Sequence, residues 1–191
     1  AAVIVGAGLS LSGTVMQSVL RNPLASPYTL GLSSAAAFGA SFAIVFLDAG
    51  TGTTSTIIIS NSWAVTVSAF IFCSLSTLTI ILLTVLTRIS AESMVLAGIA
   101  IGSLFAAGLT LMQYLADSIQ LASIISWTFG DLGRANWRAV RITGGLLLPT
   151  AVLFFSFRWD LNALDTGEEA ARGIGVKTGS VRIIGMTAAS L

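Results

Sequence analysis

The chain has 191 residues, of which 9 % are Asp, Glu, Lys or Arg, far below the roughly 25 % of soluble domains. With 55 % apolar residues and a mean hydropathy of +0.94, it has too little charge to cover a water-facing surface. A net charge of +1 excludes nucleic-acid binding through a basic face, and the absence of histidine excludes His-ligated haem, a His-based zinc site and a Ser-His-Asp triad within this sequence.

The expected fold is therefore all-α: a polytopic membrane bundle with short irregular or re-entrant segments. Charged residues divide the chain into apolar runs at about 1–20, 28–47, 62–86, 94–115 and 140–157. Each approaches the roughly 20 residues that a helix needs to cross a bilayer core of about 30 Å. A further run over 181–191 is short. The opening at Ala1 inside an apolar stretch and the apolar last residues read as cuts through spans of a longer protein, so residues 1–191 form one membrane domain incomplete at both ends. No charged n-region or cleavage site precedes the first run, which separates it from a signal peptide.

The stretch Arg21-Asn22-Pro23-Leu24-Ala25-Ser26-Pro27 must break the helix, because proline lacks an N–H and disfavours the helical conformation before it. Gly50–Ser60, rich in Thr, Ser and Gly, reads as an external loop, and Ser118–Trp137 as a short helix along or dipping into the outer face. Residues 160–178 form a polar segment between two spans. If the chain enters from outside, six basic residues (Arg21, Arg88, Arg158, Arg172, Lys177, Arg182) lie on the inner side and three (Arg134, Arg138, Arg141) on the outer side. That asymmetry agrees with the positive-inside rule, and Trp63, Trp137 and Trp159 stand near span ends as interface anchors. Gly31, Ala35 and Gly39, like Gly98, Gly102 and Ala106, recur at intervals that let helices approach closely in lipid.

Chemistry-bearing motifs are sparse. Gly173, Gly175, Lys177 and Thr178 suggest a phosphate loop, but the two required glycines are replaced by Ala171 and Val176, so the match fails. The adjacent Glu168 and Glu169 would point about 100° apart on a helix, poor geometry for acid–base work. Cys73 lies among Phe70, Ile71 and Phe72 as a small packed hydrophobe, and as the sole cysteine it excludes an internal disulfide. No catalytic residue, metal-ligating group or cofactor site is expected. The runs lack a central charge, which disfavours a self-contained ion-coupled secondary transporter, and an intramembrane enzyme lacks a nucleophile with its base.

Gly13-Thr14-Val15-Met16-Gln17 followed by Arg21-Asn22-Pro23-Leu24-Ala25-x-Pro27-x-x-Leu30-Gly31 closely resembles the permeases of ABC importers for iron-siderophores, haem and cobalamin. Leu161-Asn162-x-Leu164-x-x-Gly167-Glu168-Glu169-x-Ala171, continuing into Arg172-Gly173-Ile174-Gly175-Val176, is similar to a second signature of that family. Leu96–Gly102 and Trp127-x-x-Gly130 fit as well, in the expected order over nearly the whole chain. Two departures are Ala35, where the family usually has Gly, and Thr166, where a large apolar residue is common.

The resemblance implies a subunit of ten spans, of which this sequence would cover the second to sixth and the start of the seventh. It further implies residence in the cytoplasmic (inner) membrane, pairing with a second permease copy, a pair of cytoplasmic ABC ATPase subunits and an external substrate-binding protein. The cargo would be a chelated metal complex: a ferric siderophore first, with haem or cobalamin as alternatives. Asn22 and Leu24 would then stand at the cytoplasmic gate opposite Ser90 and Ala91, with Asn22 and Ser90 as polar edges and Leu24 as an apolar constriction. Residues 160–178 would couple to the ATPase through apolar contacts of Leu164, Ala170, Ala171 and Ile174. In that element Gly167 would start a short helix, and Glu168, Glu169 and Arg172 would orient it at the rim. Arg134, Arg138 and Arg141 would dock acidic side chains of the binding protein.

Overall fold

A computed structural model describes residues 1–47, 49–53, 56–59, 61–87 and 90–190, with backbone alone described for 50–53, 56–59 and Arg134. Arg88, used above to set orientation, lies outside the described residues.

Among the described residues the fold is helical, with one small β-ribbon. Helix α1 covers Ala2–Leu20, α2 Leu32–Phe46, α3 Ser62–Thr87, α4 Ala91–Leu115, α5 Ser118–Phe129, α6 Trp137–Ser156, α7 Arg158–Asp165, α8 Glu168–Gly173 and α9 Thr178–Ala189. Four of these, α1, α3, α4 and α6, are long and apolar enough to cross a membrane. The run read as beginning at residue 28 is shorter than expected. Residues 28–31 form a turn, since Gly31 adopts a left-handed conformation (φ 74°) as the N-cap of α2. At about 1.5 Å per residue, α2 is too short to span the bilayer core. It is instead wrapped by α3, α4 and α5, and eight of its residues are buried.

Within the stretch read as an external loop, residues 50–53 and 56–59 are strands. Strand β1 (Gly50–Thr53) pairs antiparallel with β2 (Thr56–Ile59), Gly50 opposite Ile59 and Thr53 opposite Thr56. The β-branched run Thr56-Ile57-Ile58-Ile59 favours extended backbone, outweighing the turn-forming Gly and Thr that suggested a loop. Beside this ribbon lies α5, which starts in a capping box: the Asp117 carboxylate accepts from the N–H groups of Ile119 and Gln120, while the Gln120 side chain accepts from the Asp117 N–H. A single 3-10 turn, Leu132–Arg134, leads into α6.

Two apolar clusters hold the bundle together. One gathers Val15, Met16, Val19 and Leu20 of α1 with Leu161 and Leu164 of α7, Ala171 of α8, and Val181 and Met186 of α9. The other joins Ala40, Ala43 and Ile44 of α2 to Val65 and Ala69 of α3 and Ile124 of α5. Small residues permit these contacts. Ser68 Oγ donates to the Gly39 carbonyl at 2.6 Å, an approach that a side chain at position 39 would block.

Candidate functional site

A groove of about 1080 Å³ opens at one end of the bundle, lined by the C-terminal ends of α1 and α3, the start of α4, α8 and the start of α9. Arg21, Ser90, Glu168, Arg172 and Arg182 all reach it. Of the residues read as a gate, Ser90 alone lines this groove, together with Gly167, Glu168, Glu169, Ala170 and Arg172 of the segment read as coupling.

The turn after α1 is set by its own hydrogen bonds. Arg21 sits in the left-handed region (φ 49°), where the Asn22 N–H reaches the Gln17 carbonyl and the Arg21 N–H reaches that of Ser18. This double bond pattern usually takes glycine at the left-handed position. Gln17 Nε2 donates to the Pro23 carbonyl at 2.9 Å, and Asn22 Oδ1 accepts from the Leu24 N–H at 2.9 Å. Ser26 and Thr29 then close the turn, each hydroxyl accepting from the other's backbone N–H. Asn22 Oδ1 is thus engaged in shaping backbone. Likewise Ser90 Oγ caps α4 by accepting from the Ser93 N–H at 3.4 Å, although Ser90 still lines the groove. Ala91 is buried, while Leu24 is 80 % exposed and seals nothing within this chain.

The segment after α7 folds as a capped helix. Gly167 adopts φ 126° at the N-cap of α8, and Glu168 and Glu169 occupy its first turn, where the helix dipole favours negative charge. At the other end the Val176 N–H bonds to the Ala171 carbonyl and the Gly175 N–H to that of Arg172, with Gly175 at φ 92°. That is a Schellman ending, and it uses Gly175 rather than Gly173 as the left-handed residue.

Side chains along this segment sort differently from the sequence expectation. Leu164 and Ala171 are completely buried in the protein's own core, so they cannot offer apolar contact to a partner. Ala170 and Glu169 are exposed, and Ile174 is 74 % exposed. Glu168 is not a rim residue either. Its Oε1 lies 2.6 Å from Arg172 Nη2 and its Oε2 lies 3.1 Å from Arg182 Nη2. Burial pushes the Glu168 carboxyl up, but hydrogen bonding and charge from Arg182, then Arg172, more than offset this and hold it below its ordinary value.

Arg182 is the residue that sequence reasoning missed. Counted there only among the basic residues of the inner side, it is the fifth residue of α9 and only 7 % exposed. The signal was available: a charge inside an otherwise apolar helix needs a partner, and an acidic pair stands fourteen residues earlier.

At the opposite end, α6 begins beside the start of α3. The Arg138 guanidinium lies 4.8 Å from the centroid of the Trp63 ring, and Arg141 Nε donates to the Trp137 carbonyl at 3.4 Å. Both arginines are exposed, and neither joins an ion pair among the described residues. The Asp131 carboxylate accepts from the Gly133 N–H instead. Among the described residues no group of His, Cys, Asp and Glu could hold a metal ion.

Comparison with known proteins decides the family. The FecCD transport family matches residues 1–191. The chain belongs to it. A Methanocaldococcus jannaschii protein assigned as an ABC transporter permease is 47 % identical over 192 residues, covering 100 % of this chain and 55 % of that protein. The hemin transport system permease protein of Yersinia pestis is 36 % identical, covering 98 % of this chain and 55 % of the relative. A solved inward-facing structure, assigned to an ABC transporter of metal-chelate type, superposes with a TM-score of 0.83 at 29 % identity, covering 98 % of this chain and 56 % of the other. Other FecCD relatives are named for import of molybdate, achromobactin and vitamin B12. The chain spans about half the length of the curated relatives it matches. As a FecCD protein with four apolar spanning helices, it is a multi-pass protein of the cytoplasmic membrane.

Proposed function

We propose that this chain forms about half of the membrane-spanning subunit of an ATP-driven importer, and that the rest of the machine comprises a second permease copy, a pair of ABC ATPase subunits and an external substrate-binding protein. The observation that carries this reading is the FecCD match over the whole chain. The structure adds a six-residue helix, α8, capped at both ends and set beside the turn that follows α1. Such an element is stiff enough to transmit force. Its exposed face, Glu169, Ala170 and Ile174, is the surface offered to the ATPase, while Gly167 and Gly175 set its angle.

The same reading puts residues 21–27 with Ser90 at the cytoplasmic gate and Arg134, Arg138 and Arg141 at the external docking face. Arg138 and Arg141, which join no ion pair among the described residues, suit an acidic partner surface, because guanidinium and carboxylate match in geometry as well as charge. The cargo is a metal chelate, a ferric siderophore first and haem or cobalamin next. The pathway needs no metal ligands of its own for a cargo that carries them, and MolB-type relatives named for molybdate extend the range to an oxyanion.

The test is reconstitution of the full-length permease in proteoliposomes with its neighbouring ATPase and binding protein. ATP-dependent uptake of ferric siderophore, haem, cobalamin and molybdate is measured in parallel. Uptake driven by an ion gradient without ATP would instead make this a secondary transporter.

A further inference from the structure

Helix α8 is bounded by Gly167 (φ 126°) and Gly175 (φ 92°), and a Cβ added at either position would meet nothing within 4 Å. Apart from its capping hydrogen bonds, a six-residue helix between two glycines has little in the backbone to fix its angle. Side chains remove that freedom. Glu168 reaches the nearly buried Arg182 at 3.1 Å, and Arg172 Nε donates to Thr178 Oγ1 at 3.1 Å, so two bridges join α8 to the first turns of α9. A guanidinium as buried as that of Arg182 is costly unless paired, which fixes the partner as well as the contact.

Next along α9, Gly185 seats directly on α1. A Cβ there would stand 2.9 Å from Val19 Cγ2 and 3.3 Å from Val15 Cγ1. Two residues beyond Val19 the chain enters the left-handed cap at Arg21 and the braced turn of residues 21–27. A separate tie runs from Ser18 Oγ to Asp165 Oδ2 at 3.2 Å, holding α7 to the same end of α1.

We infer that Arg182, acting through Glu168, is a positioning residue that makes α8, α9, α1 and the 21–27 turn one stiff unit, so that movement of α8 reaches the turn without an intervening hinge. This rests on the reading of α8 as the coupling element. Contiguity alone does not establish energetic coupling, so the test must perturb the bridge and read both ends.

Nitroxide labels are placed at Ala170 and Leu24, both exposed, in the Cys73→Ser full-length protein in nanodiscs, and their distance distribution is recorded. The native bridge gives a narrow distribution. Arg182→Met and Glu168→Gln should each broaden it about twofold, and the double variant should be no broader than either single one. Lys177→Gln, which removes a neighbouring charge outside the network, should leave it narrow. Unchanged widths in the single variants, or additive broadening in the double, would overturn the inference. Should Arg182→Met fail to fold, Arg182→Lys keeps the charge with a simpler donor, and an intermediate width is expected.

A second arm uses unlabelled protein with ATPase and binding protein. Both variants should retain the ATPase while cargo moved per ATP falls about tenfold. Retained ATPase with unchanged yield in broadened variants would show a bridge that does not couple and sink the inference. Failure of the native protein to bind any ATPase would strike the functional reading instead, because the distance arm needs no partner.

Discussion

Arg182 and Arg138 lie at opposite ends of the bundle and are held in opposite ways. Arg182 is enclosed, paired with a carboxylate that itself has a second cation, and sits on a helix pressed against α1. Arg138 lies in the open over the face of Trp63, with no acid beside it among the described residues. A buried charge must be matched within the chain and therefore organises the chain. An exposed one on an aromatic ring is oriented at little cost and keeps its hydrogen-bond donors for another molecule. The same residue type thus organises the chain at one end and stays open to solvent at the other.

The contrast is broken most severely by Arg182→Glu. It would set a nearly buried carboxylate against Glu168 at the groove wall, with an expected loss of about 3 kcal/mol. Thermal unfolding of the purified full-length protein measures this, and a native melting temperature would mean that the ion pair does not organise this end.

A paired comparison within α8 separates structure from recognition. Ala171→Asp buries an unmatched carboxylate and should destabilise by about 1–3 kcal/mol. Ile174→Asp, on the exposed side, should leave the melting temperature alone and weaken ATPase retention about tenfold. The reverse pattern would exchange the faces assigned to this helix.

The mildest change is Arg138→Glu, which should slow association with the binding protein about tenfold at low salt while leaving stability near native. The difference should shrink as salt screens both proteins. Equal association rates at low salt would assign Arg138 to the lipid interface alone.

The fold was largely legible because charge was so rare that its positions divided the chain into runs. What hid from that reading had balanced or local causes. The β-ribbon was masked by Gly and Thr, although Ile57-Ile58-Ile59 carried the extended preference. The shortness of α2 followed from Gly31, whose left-handed conformation no composition average reveals. At the site, the caps of α8 could be read from Gly167, Glu168, Arg172 and the following glycines. Which face of α8 looks inward could not, since a six-residue helix has too few positions to show a period. Ala171 was therefore assigned outward, as was Leu164 of α7, when both belong to the core. Arg182 escaped because its partner is set by tertiary packing of α8 on α9, not by spacing within a helix.

The contact between Gly31 and Gly102 has a consequence for motion. A Cβ on Gly31 would fall 2.3 Å from the Gly102 Cα, and one on Gly98 would fall 2.6 Å from Leu30 Cδ2. Here two stretches of main chain touch with no side chain between them, and the fit holds for one alignment only. Sliding this segment along α4 by a single residue would drive Leu30 or Leu32 into the space that position 31 leaves empty. The start of α2 and the middle of α4 are therefore keyed, like a tongue in a slot. Any rearrangement of the bundle has to carry this pair along as a single piece, and must find its slip plane elsewhere.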